Sequence, residues 1–170
     1  RPIEPLTGLP VFPGAEGFGS RTKAGRSGNL IEVTSLADNG PGTLRAALED
    51  ANPRIVVFRV GGTMELEEEL FIPHPFVTVA GQTAPGGGVC IKNAGLVIAT
   101  HDVLIQHLRV RPGNEGTVRG ETNDAIQIFG HVEGKPAAYN VVLDHITASW
   151  GEDETVSTWL GAHDVTVCLS

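Results

Sequence analysis

Asp102-Val-Leu-Ile-Gln-His107 returns as Asn140-Val-Val-Leu-Asp-His145 and again as Asp164-Val-Thr-Val-Cys-Leu169, with a weaker earlier copy at Phe76-Val-Thr-Val-Ala-Gly81. Each strong copy opens with Asp or Asn at an entering turn, then places apolar residues at the next position and two further on. Successive copies start 26, 38 and 24 residues apart. A period in the twenties with one β-branched strand per repeat predicts a solenoid that stacks its strands in parallel. The long middle interval predicts an insertion.

Superposed, the copies place Val77, Val103, Val141 and Val165 in one file and Val79, Ile105, Leu143 and Val167 in another. Side chains two apart on a strand share a face, so both files are expected inside. His107 and His145 fall on the same interior side. A catalytic or zinc pair there would need a third ligand that the sequence does not show, so stacked histidines bonded to their neighbours are expected. Thr78, Leu104, Val142 and Thr166 are expected to face outward, as is the file containing Asp144. Asp144 would there meet solvent, the insertion, a substrate or a neighbouring turn.

The rest of the chain agrees with an all-β coil. Thr43-Leu-Arg-Ala-Ala-Leu-Glu-Asp-Ala51 is the one convincing helix, with Leu44, Ala47, Leu48 and Ala51 on one face and Pro53 preventing continuation. It and the strand Asn29–Thr34 are expected to cap the N-terminal end of the solenoid. Further strands are expected at Ile55–Val60, Met64–Leu66, Phe76–Ala80, Val89–Ile91, Leu96–Ala99, Val103–Val110, Ala125–Phe129, Val141–Trp150, Val156–Leu160 and Val165–Leu169. The length of 170 residues suits a single domain over 1–170. The chain opens Arg1-Pro-Ile-Glu-Pro5, as a processed mature terminus or a cut boundary would, and nothing after Val165–Leu169 covers that last strand. Hence the expectation is the N-terminal part of a longer β-helix, or self-association through the uncovered C-terminal coil.

Composition bounds the function. With 22 Gly, 11 Pro and 19% charged residues the chain suits tight turns between strands. A formal net charge of −8 excludes nucleic acid as the main partner, because phosphate binding requires clustered Lys and Arg. No apolar run approaches the ~18 residues of a membrane span. Gly86-Gly-Gly88 and the glycines at 14, 17 and 19 do not open a helix after a strand, which excludes a phosphate loop. Cys90 and Cys168 permit one disulfide but read as buried free thiols.

The carboxylates carry the chemistry. Asp124 enters the strand Ala125–Phe129, and Glu152, Asp153 and Glu154 enter the equivalent strand one coil later. Stacked strands lie about 4.8 Å apart, so these acids are expected side by side. Crowded carboxylates repel unless a cation neutralises them, and hard divalent ions with oxygen ligands, calcium above all, answer that need. Arg109, Arg111 and Arg119 lie near enough along the chain to hold an acidic sugar in bidentate fashion.

Four ordered motifs then carry a resemblance. Val11-Phe-Pro-Gly-Ala-Glu-Gly-Phe-Gly19, Leu36-Ala-Asp-Asn-Gly-Pro-Gly-Thr-Leu-Arg-Ala-Ala47, Val79-Ala-Gly-Gln-Thr-Ala-Pro-Gly86 and Leu143-Asp-His-Ile-Thr-Ala-Ser-Trp150, followed by Asp153-Glu154, look like bacterial pectate lyases of polysaccharide lyase family 1 and their pectin-lyase-like relatives. The resemblance implies a right-handed parallel β-helix, secretion to the extracellular space or periplasm, and calcium-dependent β-elimination of polygalacturonate. Asp124 and Asp153 resemble the family's calcium acids, with Glu152, Glu154 and Asp144 as lesser candidates. The family usually places another acid four residues after the second of these, where this chain has Ser157. Leu143-Asp144-His145 resembles a signature of mostly structural role. The family's catalytic arginine matches no residue here, leaving Arg109, Arg111 and Arg119 as weak stand-ins and little or no lyase activity expected from these 170 residues alone. A binding β-helix that holds acidic polysaccharide without cleaving it is the alternative, and a glycoside hydrolase with paired carboxylates is a weaker third.

Overall fold

The computed structural model describes residues 8–116, 123–130 and 137–169. After β1 (Asn29–Val33) and α1 (Leu44–Glu49), the chain winds into coils of three strands each. The first coil is β2 (Arg54–Phe58), β3 (Gly62–Glu65) and β4 (Leu70–Ile72), and the second is β5 (Val77–Ala80), β6 (Val89–Lys92) and β7 (Leu96–Ile98). The third is β8 (Val103–Gln106), β9 (Leu108–Arg111) and β10 (Ile126–Phe129), and the fourth is β11 (Tyr139–Asp144), β12 (Thr147–Ala148) and β13 (Val156–Trp159). Strand β14 (His163–Cys168) begins a fifth. Stacking produces three parallel sheets in the orders β1-β2-β5-β8-β11-β14, β3-β6-β9-β12 and β4-β7-β10-β13. This is the expected parallel β-helix, right-handed as crossovers between parallel strands of one sheet are.

The interior files form as read. Val77 pairs with Val103, Val103 with Val141 and Val141 with Val165, and the three inner members are fully buried. Val79, Ile105 and Leu143 are buried likewise, each at 1% exposure or less. Val165 is half-buried and Val167 is 49% exposed, against expectation, because no described strand stacks beyond β14. Strand β4 was not anticipated, being only three residues flanked by acids and prolines.

The expected long strands Val103–Val110 and Val141–Trp150 are each broken at a histidine. His107 and His145 both adopt φ 53, the left-handed conformation, and end one sheet's strand before the next begins. The turn rotates both imidazoles out of the interior, so they are exposed rather than core residues. Asp102, Asn140 and Asp164 open the repeats in the same conformation, with φ between 52 and 54. Asp and Asn tolerate it through local hydrogen bonding, which explains why these residue types recur there.

The outer face of the six-stranded sheet is not open to solvent. The segment from Gly17 to Gly28 runs across it from β14 to β2. The Gly19 N–H donates to Thr166 Oγ1 at 2.9 Å, Thr22 Oγ1 and the Lys23 N–H donate to Asp102 Oδ1 at 3.0 Å each, and the Gly25 N–H donates to Thr78 Oγ1 at 3.0 Å. A Cβ at Gly19 would lie 2.5 Å from the Val141 carbonyl oxygen, and one at Gly25 would lie 1.9 Å from that of Arg54, so only glycine permits this approach. Leu104 and Val142 are consequently buried, packed with Ala24, Val11, Phe12 and Cys168. Cys90 and Cys168 are half-buried, and burial, with Asp144 beside it, pushes the Cys168 thiol up to about 11.

Helix α1 caps the first coil. Thr43 accepts from the Ala46 N–H as its N-cap, and Leu44, Ala47 and Leu48 are buried against the core. Arg54, fully buried, donates to the carbonyls of Ala47, Leu48, Asn52, His74 and Pro75. Two of these belong to the last turn of α1, whose carbonyls have no partner within the helix. The helix is thereby tied to the first coil and to the turn that opens the second.

Candidate metal centre

Strands β10 and β13 pair in parallel with Ile126 opposite Val156, which brings their entering corners together. The Ala125 N–H donates to the Glu154 carbonyl at 3.1 Å, and the Glu152 N–H donates to that of Asn123 at 3.0 Å. Asp124, 2% exposed, accepts from the Glu154 N–H through Oδ1 at 3.1 Å and from Ser157 Oγ through Oδ2 at 2.7 Å. Asp124, Asp153 and Glu154 each offer a carboxylate oxygen, and these oxygens lie within 4.8 Å of one another.

Their electrostatics are those of an uncompensated cluster. Among the described residues none of the three makes an ion pair. Burial raises the Glu154 pKa, and the Asp153 and Asp124 charges raise it further. Burial also raises that of Glu69, helped by the charge on Asp124. Glu154 Oε2 and Asn123 Oδ1 are enclosed without a hydrogen-bond partner among the described residues. Enclosed, unsatisfied oxygens among concentrated carboxylates are donors suited to a hard divalent cation, so the residues present fit calcium.

A cleft of about 490 Å³ opens beside the cluster, lined by Lys92, Arg111, Pro112, Gly113, Asn114, Glu115, Trp150 and Glu152. Glu152 joins the two, because Asn123 Nδ2 donates to its Oε2 at 3.3 Å. Trp150 is 67% exposed at φ 64, the left-handed conformation that recurs at corners of this coil. The Arg111 guanidinium lies 5.4 Å from the indole centroid, and the Arg111 Nε has no hydrogen-bond partner among the described residues. Lys92 Nζ sits 3.0 Å from Glu115. The cleft therefore offers cationic groups and an aromatic face next to crowded carboxylates.

The structure thus unites Asp124, Asp153 and Glu154 and places Glu152 at the cleft. It does not bring Asp144 there. Asp144 is buried on the six-stranded sheet, where it accepts from Gln106 Nε2 at 2.8 Å and pairs with His145 Nδ1 at 2.8 Å. Arg109 and Arg111 both point outward from β9, alternating with buried Leu108 and Val110. Arg109, however, lines a second cleft with His107 and His145. Arg119 lies outside the described residues. Lys92 and Trp150 are the site residues that sequence reasoning passed over. For Lys92 the signal was available, because the alternation Val89-Cys-Ile-Lys92 points it outward on the strand next to Arg111.

No protein-family model matches the chain. In sequence it is similar to a probable pectate lyase C of Emericella nidulans, 41% identical over 162 residues that make up 95% of this chain and 36% of that protein. Similarity to a probable pectate lyase C of Aspergillus fumigatus is 39% over 163 residues, again 95% and 36% of the two chains. A probable pectate lyase 7 of Arabidopsis thaliana is 30% identical, covering 91% of this chain and 34% of that one. The chain spans about a third of the length of these relatives. They are fungal and plant proteins, so the resemblance does not single out bacterial lyases. Among solved structures, the major allergen from cedar pollen superposes with a TM-score of 0.74 at 25% identity, over 90% of this chain and 47% of that one. A pectate lyase variant from Xanthomonas campestris shares the fold at 17% identity and a TM-score of 0.57, over 91% and 50%. The chain is pectate-lyase-like in sequence and in fold.

Proposed function

We propose that this chain carries the calcium-binding face of a secreted pectate lyase that cleaves polygalacturonate by β-elimination. The observation that carries the reading is the convergence of Asp124, Asp153 and Glu154 beside a cleft holding Arg111, Lys92 and Trp150. Elimination removes the C5 proton of a uronate and breaks the C4–O bond, forming a C4–C5 double bond. Calcium, when bound, supplies positive charge next to the uronate carboxylate, where enolate-like charge develops.

The protein groups hold the chain of sugars. Asp124 is fixed by Ser157 and the Glu154 N–H, so its position does not depend on a ligand. Arg111 and Lys92 are suited to uronate carboxylates along the cleft. Trp150 offers an indole edge and one face to the apolar side of a sugar ring. No described arginine is placed as the base: Arg109 lines the other cleft, and Arg111 lies over Trp150. That observation favours a second reading, in which the chain binds polygalacturonate without cleaving it.

Ultraviolet absorbance of unsaturated uronate product, with calcium and then with chelator, separates the two. Calcium-dependent binding of polygalacturonate with little or no product is expected from the 170-residue chain. Product at an ordinary enzymatic rate would require Arg109, Arg111 or Arg119 to act as base. Binding that ignores chelator would remove calcium from the proposal.

Ser157 allows a gain-of-binding test. It stands where the resembling family usually has an acid, and it donates to Asp124 at 2.7 Å. Ser157→Asp is expected to tighten calcium binding about tenfold by adding ligand charge, and to lower stability without calcium by crowding Asp124. Calorimetric titration of the variant against the parent measures the first effect, and thermal unfolding with chelator measures the second.

A further inference from the structure

We propose that His107 and His145, with Asp144 behind them, form a site for a divalent transition-metal ion that clips two adjacent coils together. The two histidines occupy the same corner of consecutive coils, after β8 and after β11. Both have φ 53, and that turn directs their rings out of the solenoid. The rings stack with centroids 4.4 Å apart and planes inclined by 20°. One ligand atom from each of His107, Asp144 and His145 falls within 4.8 Å of the others.

The surroundings are those of an oriented ligand. Asp144 is 2% exposed, and its Oδ2 is engaged by Gln106 Nε2. Its Oδ1 lies 2.8 Å from His145 Nδ1. A buried carboxylate at that nitrogen places the proton on Nδ1 and leaves the Nε2 lone pair for a metal, as carboxylate partners of ligating histidines do. Bonds of about 2.0–2.1 Å from metal to nitrogen require the stacked rings to tilt until their planes meet at the ion, because each nitrogen lone pair lies in its ring plane. Both rings are exposed, so the His107 ring can rotate about Cβ–Cγ while Asp144 keeps that of His145 in place. The remaining coordination positions face a cleft of about 380 Å³ walled by Gly86, Gly87, Gly88 and Arg109, which has room for water or an anion.

Imidazole ligands suit zinc, copper and nickel, whereas calcium takes oxygen. This site is therefore chemically distinct from the carboxylate cluster of Asp124 and independent of the function proposed above. Its effect would be structural, because an ion bound only by the stacked coils stabilises them against separation.

The test is calorimetry with zinc at saturating calcium, so that the carboxylates are already occupied, paired with thermal unfolding. One zinc per chain is expected, raising the unfolding midpoint by several degrees. His107→Ala and His145→Ala should each weaken binding at least about tenfold and abolish the thermal shift, while His74→Ala should leave both unchanged. Because both rings are exposed, midpoints without zinc should stay close to the parent value. Absence of zinc binding by the parent protein would overturn the proposal. So would unchanged binding in both histidine variants, or loss of zinc binding in Asp124→Asn instead.

Discussion

Arg54→Met is expected to lower the midpoint of thermal unfolding by roughly 10 °C. The side chain is fully buried and donates to carbonyls of Ala47, Leu48, Asn52, His74 and Pro75. Methionine retains much of the volume and removes every donor, which leaves buried acceptors unsatisfied at about 1–3 kcal/mol each, partly relieved by water entry. A net loss of about 3–5 kcal/mol follows, and in a chain of this length each kcal/mol moves the midpoint by roughly 2–4 °C. Burial lowers the Arg54 pKa, but a guanidinium stays charged far above neutrality, so the effect should not depend on ordinary pH. Arg54→Lys should recover little, since an ammonium lacks the planar fork that reaches both α1 and the turn before β5. A methionine variant that melts within two degrees of the parent would show that α1 is held by its apolar face alone.

Asp124→Asn is expected to weaken calcium binding by about two orders of magnitude, because ligand charge sets the affinity of oxygen sites. The amide keeps an oxygen for the Glu154 N–H and can donate to Ser157 Oγ, so the fold should persist. Removing the charge should also lower the raised pKa values of Glu154 and Glu69, both of which the Asp124 charge helps to raise. Calorimetry reports the first effect, and carboxyl chemical shifts followed through an acid titration report the second. Full calcium affinity in the asparagine variant would mean that the ion, if bound, sits elsewhere.

What could be read in the sequence follows from how distance along the chain maps onto the coil. Val77, Val103 and Val141 were legible because alternation fixes their face and the period fixes their neighbours. Asp124 and Asp153 were legible because stacking converts a separation of one coil into contact across one strand spacing. Leu104 and Val142 were not, since their cover comes from Val11, Phe12 and Ala24, far back in the chain, and no local pattern encodes that docking. His107 and His145 were misplaced because nothing in Gln106-His107 or Asp144-His145 announces a left-handed residue; neither pair contains Gly or Pro. Asp144 stands apart from Asp124 because β11 and β10 stack in different sheets.

The glycine-rich segment across the six-stranded sheet makes the order of synthesis matter. The Gly19 amide bonds Thr166, 147 residues later in the chain. At about 5–20 residues per second, a ribosome delivers that partner roughly 7–30 s after the glycine itself emerges. Throughout this interval Val11, Phe12 and Ala24 have only part of their eventual seat, and the segment must wait, undocked or held by a chaperone, while coils accumulate behind it. Solenoids ordinarily gain stability one repeat at a time through nearest neighbours. Here residues made early span the coils from β2 to β14 and dock fully only when β14 arrives, so these coils should protect one another from proteases together rather than in sequence.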